Sequence, residues 1–526
     1  MQGGLSAWKG LADKPELLQE ALRLIDECKT CAVAPETLFA AAEESEDAVL
    51  AEKLSDLAQI LTAYERLCEE SLPDPRDRLT HLRDRLAESH TLDGAAVYLD
   101  GFLGFTVQES AVVDAMLAAG VPLSAAVTCD TDYPEIFLTG CKTVQKLTRM
   151  AKHHNQTVER IELGESKVAR PEGLAALERE SRLPVRTPQE SAAGVRLYEA
   201  ASPFDECEHA AAYIRRKVRD EGARCRDFVV AARDIEPYSA FLAMAMARYD
   251  IPVFLAEKPD LLSRPPMALV TNALEAVRNY FRYEDLFSCL KTGLAGLDWD
   301  EIDKLENYVL TWNIRGGAWE REWTEHPDGY GLSIDENAKA QLAELNTLRK
   351  RAIAPFSALR EALAGEQPAG DCVRALYAFL LAVDAPQRMI DRAAGHEQAG
   401  RLQLADEYRQ LWEILVSAME QFAWVCGDMP LTLDRFAQLF RLVLGEYDVG
   451  TIPVSLDRVT CGNIERACTE NAKYVILLGV NDGLIPKTPS STSLLSDMDR
   501  DKMDALGVEL KAYGEERLLM EQETLY

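Results

Sequence analysis

Apolar residues recur every three or four positions through the first part of the chain, which is the spacing of one face of a helix. The pattern is clearest in two runs, formed by Leu17, Leu18, Ala21, Leu22 and Ile25 and by Leu50, Leu54, Leu57, Leu61 and Tyr64. Charged residues fill the positions between them, as expected for helices with one buried face. Residues 1–90 are therefore predicted to form a helical block.

The period changes after residue 90, where short apolar runs begin to alternate with helical stretches. Residues 95–99 and 123–128 are two such runs, with a helical pattern between them. Runs of this kind are typical of strands buried in a parallel sheet, and the strand–helix–strand order indicates an α/β layer. The first α/β domain is predicted over residues 91–180, followed by a polar, proline-containing linker over 181–194.

A second alternation of strands and helices follows the linker. Strands are predicted over 194–199 and 227–232, each followed by a helical stretch. The pattern then stays helical over 263–448 before the strand rhythm returns. The sequence therefore predicts an α/β fold with tandem parallel sheets, in which the second sheet domain comprises 195–262 and 449–526 and is interrupted by a helical insertion.

The chain is strongly acidic, with 57 Lys and Arg residues against 87 Asp and Glu residues and a formal net charge of −30. This balance argues against a protein that coats duplex DNA through its overall field, although a basic channel within an acidic exterior remains compatible with it. Basic runs occur at 142–152, 215–219 and 349–351. Each run taken alone is interpreted as a solvated helix face.

The sequence carries no signal for a membrane, a secretory leader or a metal. No apolar run is long enough to span a bilayer, so a cytoplasmic protein is expected. The twelve cysteines include two close pairs, Cys28 with Cys31 and Cys461 with Cys468, and neither has a second pair nearby. Buried thiols are therefore favoured over a metal site, and no metal ligand is expected.

Residues 97–109 read VYLDGFLGFTVQE, a strand followed by a turn and the start of a helix. The segment resembles the magnesium-binding motif of superfamily 1 helicases of the UvrD and RecB kind. The resemblance implies two RecA-like (P-loop NTPase-like) domains, with residues 1–90 as the 1B-like insertion and 263–448 as the 2B-like insertion. In working motors the Asp of this motif holds magnesium and the next Glu positions the attacking water. Asp100 and Gln108 are kept here, but the Glu is replaced.

Four positions mark where motor chemistry is altered or reduced to a single residue. Gly101 replaces the catalytic Glu, and Arg233 ends a strand where motors place an Arg that reaches the γ-phosphate. Thr460 opens the fifth motif, which has lost its His and its Lys-Gly pair. Tyr526 stands where an ungapped count places the arginine finger. Together with Asp100 and Gln108 these are predicted to be vestigial motor positions, and no catalytic residue is expected.

Longer strings indicate one family within this class. They are DGFLGFTVQE at 100–109, LLGVNDGLIP at 477–486, and LKTGL followed by LENY within 283–319. Over essentially its whole length the chain resembles AddB, the subunit of the RexAB-like AddAB helicase–deoxyribonuclease that processes double-strand breaks for homologous recombination. The chain is expected to be an internal fragment, with the phosphate loop upstream and the nuclease domain downstream.

The resemblance implies partners and cofactors for the whole subunit. An AddA-type helicase–nuclease subunit is the expected partner, and single-stranded and double-stranded DNA ends, scanned for the Chi sequence, are the expected substrates. ATP with magnesium and a 4Fe–4S cluster are expected outside this stretch, which should itself lack ATPase and nuclease activity. Phe102 and Phe105 are candidates for stacking against DNA bases. The alternative is that both rings fill the core.

Two other functions stay open at the level of sequence. One is a fragment of an active superfamily 1 DNA helicase, and Gly101 and Tyr526 argue against it because neither side chain can replace the lost Glu or Arg. The other is a scaffold that binds only a partner protein. Such a scaffold would show no salt-dependent affinity for single-stranded DNA.

Overall fold

The computed structural model describes most of the chain. The described residues are 4–10, 14–70, 74–130, 132–163, 170–181, 192–255, 261–447, 457–465, 467, 472–487, 493–511 and 513–525. The chain divides into two compact units, one comprising Met1–Glu257 with Leu456–Tyr526 and the other Lys258–Ser455. Position 526 and most of the predicted linker lie outside the described residues.

The first unit begins with helices and continues as alternating strands and helices. The elements up to its first break are α1 (Pro15–Thr30), α2 (Pro35–Glu44), α3 (Ala48–Glu70), α4 (Arg78–Glu88), β1 (Val97–Leu99), α5 (Val107–Ala118), β2 (Leu123–Ala125), α6 (Leu138–His153), α7 (Glu172–Ser181), α8 (Pro203–Glu221), β3 (Phe228–Ala232), α9 (Glu236–Arg248) and β4 (Val253–Leu255). The predicted change from a helical to an α/β pattern near residue 90 is confirmed.

The second unit is almost entirely helical in its described part. Its elements are α10 (Pro265–Arg278), α11 (Tyr283–Leu290), α12 (Trp299–Trp312), α13 (Glu336–Ala362), β5 (Gln367–Pro368), α14 (Ala369–Ala382), α15 (Ala385–Gln398), α16 (Leu402–Cys426), β6 (Pro430–Leu431) and α17 (Leu433–Gly445). The carboxylate of Glu306 on α12 accepts hydrogen bonds from the Tyr283 hydroxyl at 2.7 Å and from Lys291 at 2.6 Å. The KTGL and LENY strings therefore hold neighbouring helices together.

The chain then returns to the first unit with β7 (Val459–Asn463), β8 (Tyr474–Leu478), α18 (Asp497–Ala505) and α19 (Gly514–Leu525). These strands complete a four-stranded parallel sheet of order β4-β7-β3-β8. In its register Val230 lies opposite Cys461 on one side and Ile476 on the other. The prediction that residues 228–232 and 475–478 share one sheet is confirmed. The division into six domains stays a prediction.

The strand predictions were wrong in two respects. Residues 195–200 form no strand, and Leu197 is 94% exposed. The apolar runs also do not guarantee burial on both faces, because Tyr98 in β1 is 78% exposed and Val475 in the edge strand β8 is 48% exposed. By contrast, every residue of β3 is buried, as expected for a strand with neighbours on both sides. An apolar run identifies a strand but does not tell how many of its faces are covered.

The segment after β8 packs onto the helical block, a contact that the hydrophobic pattern does not predict. Leu495, Met503 and Val508 join the buried core of α1–α3. Arg500 donates hydrogen bonds to both carboxylate oxygens of Glu27, at 2.6 and 2.9 Å, with both side chains about 90% buried. The two ends of the chain are thus joined by apolar contacts and by a paired charge.

Candidate functional site

The carboxyl edge of the four-stranded sheet carries the polar residues nearest to the motor motifs. Because the strands are parallel, the residues that follow β3, β7 and β8 lie on one edge, which is where open α/β sheets bind their ligands. Arg233 follows β3, Glu465 follows β7 and Gly479 follows β8. This edge is therefore where a nucleotide site is expected.

Arg233 is occupied by carboxylates at this edge. Its Nε and Nη2 atoms donate to the two carboxylate oxygens of Glu521 on α19, and Nη2 also lies 3.0 Å from Oε1 of Glu465. The Arg233 side chain is 18% exposed and that of Glu521 is 9% exposed. Arg233 holds the pKa of Glu521 below its ordinary value, chiefly through these hydrogen bonds. One cation faces two anions, so a phosphate here would meet net negative charge.

Helix α19 also reaches the first turn of α6 through a second carboxylate. Glu523 is buried, and burial raises its pKa while hydrogen bonds from Thr139 and Gly140 oppose that rise. The Leu103 carbonyl, in the turn after β1, accepts a hydrogen bond from the Thr143 hydroxyl at 3.2 Å. The altered magnesium motif and α19 therefore meet near the start of α6.

The residues of the altered magnesium motif are held by local bonds. Asp100 is exposed, and its carboxylate accepts the Gly101 N–H at 2.9 Å. Gly101 has φ +75°, with open space where a Cβ would stand. A glutamate there would fit but would strain the backbone. Gln108 donates to the Arg76 carbonyl at 3.0 Å and so ties α5 to the start of α4.

Phe102 and Phe105 form a pair beside this turn. Their ring centroids lie 5.1 Å apart with the planes tilted by 31°. Phe102 is 38% exposed, and Phe105 is half-buried. Neither ring belongs to the buried core clusters of the described residues, so part of the pair is accessible to a ligand.

Thr460 lies within β7, half-buried between Val229 and Phe254 of the neighbouring strands. The polar residue that acts at the end of this strand is Asn463, whose side-chain oxygen accepts the Ile235 N–H at 2.8 Å. It fixes the turn after Arg233. Sequence reasoning missed Asn463, although an amide side chain at the end of a strand was a usable signal.

The LLGVNDGLIP string forms the turn that ends β8. Gly479 has φ +68°, and its N–H donates to Glu206 Oε1 of α8 at 2.6 Å. A Cβ at this position would lie 2.7 Å from the Tyr238 hydroxyl. Burial, with Glu206 nearby, raises the pKa of Tyr238 to about 12. Glycine is therefore required here by backbone conformation and by space, independently of any ATP chemistry.

Metal sites and membrane spans were sought over the described ranges. Within them no group of three or more His, Cys, Asp or Glu side chains is placed to hold a metal ion. The same ranges contain no helix that is both long and apolar enough to cross a bilayer.

A parallel sheet with an arginine and a glycine turn on its carboxyl edge agrees with the RecA-like class of α/β folds. Residues 1–178 match the family model described as ADDB, N-terminal. The chain is 32% identical over 97% of its length to the B subunit of the ATP-dependent helicase/deoxyribonuclease of Acetivibrio thermocellus, of which it covers 46%. The B subunits of the same name from Thermoanaerobacter sp. and Clostridioides difficile are each 30% identical, over 97% and 96% of the chain, with 45% of each covered.

The chain belongs to the AddB family. It spans about half the length of the curated relatives that it matches. A family of relatives named as one subunit of a helicase/deoxyribonuclease implies a multi-subunit enzyme.

Proposed function

We propose that this chain is the helicase-like region of an AddB-type subunit that acts in double-strand break repair by homologous recombination. It binds and guides single-stranded DNA, including during the search for Chi, and it does so without hydrolysing ATP. Its partner is an AddA-type helicase–nuclease subunit, and the complex acts on single-stranded and double-stranded DNA ends in the cytoplasm.

The observation that carries the proposal is the pairing of Arg233 with Glu521 and Glu465. In working motors the corresponding Arg stabilises charge on the transferred phosphate. Here its hydrogen-bonding edge is taken by a carboxylate, and a γ-phosphate would have to displace Glu521 while facing Glu465. The described residues therefore do not fit ATP with magnesium at this edge. Gly101 adds to this, because no group at that position can activate water.

The cysteines of the described ranges do not fit a 4Fe–4S cluster, which takes four converging thiolates. Those thiols are free and no metal-binding group is found among them. Burial raises the pKa of several of them, and that of Cys28 to about 12. A buried thiol of that kind is a poor metal ligand. We therefore place the family's cluster outside this stretch.

A role for the Phe102 and Phe105 pair in contacting DNA follows from its exposure. An accessible ring can stack on any base and contributes about 1–3 kcal/mol per base. Phe102→Ala in the complex with the AddA-type subunit should impair the Chi response while unwinding and thermal stability stay intact. A variant that merely melts earlier, with a normal Chi response, would show that the ring is a packing residue.

The proposed function is tested by the affinity of the chain for single-stranded DNA as a function of salt. We expect binding that weakens linearly on a log–log plot as phosphate contacts are screened. Co-purification with an AddA-type subunit is the second part of the test. Absence of salt-dependent DNA binding together with stable co-purification would favour a scaffold that binds only its partner.

A further inference from the structure

The amino edge of the four-stranded sheet, opposite the edge that carries Arg233, is strongly basic. Arg226 and Lys473 precede β3 and β8, so the parallel strands place them on this edge. The backbone confirms their closeness, because the Lys473 N–H donates to the Asp227 carbonyl at 2.8 Å. We call this surface the amino-edge patch and define it by Arg196, Arg215, Arg216, Arg224, Arg226 and Lys473.

Helix α8 brings its basic run to the same edge. Burial raises the pKa of Cys225, and the charge of Arg215 opposes that rise, which places Arg215 beside the turn before β3. Arg216, Arg224 and Arg226 are exposed, as are Arg196 and Arg215. None of these five arginines forms an ion pair with another described residue, whereas Lys473 is paired with Asp227 at 3.2 Å.

Local structural needs do not explain this charge. Basic residues in the last turn of a helix are stabilised by the helix dipole, which accounts for Arg219 near the end of α8. Arg196, Arg224 and Arg226 lie outside that helix and gain nothing from it. In a chain with a net charge of −30, a surface with five arginines that no described carboxylate pairs is a local reversal of the overall field.

Aromatic rings border the patch. The Tyr213 ring has Arg196 at 5.8 Å and Lys217 at 5.6 Å from its centroid. Tyr198 lies two residues after Arg196, and its ring stacks on His209 of α8, with centroids 3.5 Å apart and planes at 6°. Tyr198 is nevertheless 55% exposed, so one flat face is open beside the arginines.

We propose that the amino-edge patch binds the phosphodiester backbone of a DNA strand and that Tyr198 stacks on one of its bases. Guanidinium groups present a planar fork that matches phosphate oxygens, and this patch is built from arginine in preference to lysine. An exposed ring next to such a fork is the usual arrangement for single strands. The proposal rests on the proposed function and locates part of its DNA contact on the edge opposite to Arg233.

The test compares two variants of the 526-residue chain that remove the same four charges. The patch variant carries Arg215→Gln, Arg216→Gln, Arg224→Gln and Arg226→Gln. The control carries Arg315→Gln, Arg321→Gln, Arg374→Gln and Arg409→Gln, all at exposed positions of the other unit. Affinity for a labelled single strand and for the duplex of the same length is measured by fluorescence anisotropy over a range of salt concentrations.

We expect the patch variant to lower the slope of log K against log salt by about 0.7–0.9 for each phosphate that the variant no longer binds, and the control to keep the slope of the parent. Tyr198→Ala should weaken binding of the single strand about 5- to 150-fold, without changing the slope or the affinity for the duplex. Thermal unfolding of each variant shows whether it is folded.

An unchanged slope in a folded patch variant, with the parent chain binding DNA, would overturn the inference and leave the proposed function standing. The patch would then be assigned to an acidic protein surface, such as that of the partner subunit. A parent chain without salt-dependent affinity for either DNA would overturn both. Equal reductions in affinity for the single strand and the duplex after Tyr198→Ala would refute the stacking role alone.

Discussion

Replacing Glu521 with glutamine tests the pairing that closes the carboxyl edge of the sheet. The change removes the negative charge that Arg233 faces at 9% exposure and keeps the shape of the side chain. Glu465 stays 3.0 Å from the guanidinium, so the cation is not left alone. Removing one partner of a fully buried pair costs about 3–5 kcal/mol, and a hydrogen bond to a charged group contributes about 1.5–3 kcal/mol. For this partly buried pair we expect destabilisation by about 2–3 kcal/mol.

Hydrogen exchange measured by mass spectrometry is the suitable assay, because a chain with two units need not unfold in one step. Peptides covering β3 and α19 should exchange about 30- to 160-fold faster in Glu521→Gln, which corresponds to about 2–3 kcal/mol at about 1.4 kcal/mol per tenfold change. Peptides from α12 should be unaffected. Glu465→Gln is the matched control, and its effect should be smaller because that side chain is 47% exposed. Unchanged exchange in Glu521→Gln would refute the pairing.

The same pair predicts a dependence on pH. The pKa of Glu521 lies below its ordinary value of 4.5 in the folded chain. A carboxyl with a lowered pKa stabilises the fold above the unfolded pKa, and this stabilisation is lost as the pH falls through the folded value. The parent chain should therefore lose protection of α19 below about pH 4.5. In Glu521→Gln this part of the pH dependence should be absent.

Three further substitutions test other contacts. Arg500→Met should destabilise the docking of α18 by about 3–5 kcal/mol, because it leaves Glu27 buried without its cation, and urea unfolding would measure this. Gly479→Ala should cost about 1–3 kcal/mol through its positive φ and the contact with Tyr238, seen as a lower melting temperature. Gly101→Glu should restore no ATP turnover in a coupled assay, since Arg233 stays paired.

The sequence predicts the α/β layers well because periodicity depends on local chain geometry. The apolar run at 228–232 and its pairing partner at 475–478 are found in one parallel sheet. The same reasoning failed at 194–199, because a strand forms only where a neighbour supplies hydrogen bonds, and that neighbour is not visible in the pattern. Exposure of Tyr98 and Val475 has the same origin.

The candidate site was only half predictable. Motif spacing identified Arg233, but Glu521 lies 288 positions away and carries no signal that it would reach the sheet edge. Two carboxylates two residues apart on α19 look like ordinary surface charges until the helix is placed against the sheet. The basic run at 215–219 likewise looks like a solvated face, because its neighbours at 224 and 226 belong to another element.

The most direct test of the central claim is ATP turnover by the purified chain in the presence of saturating single-stranded DNA. We predict DNA binding without turnover above that of a blank preparation, since Arg233 is held by Glu521 and position 101 lacks a carboxylate. Turnover that scales with the amount of chain, and that is abolished by Arg233→Ala, would contradict this.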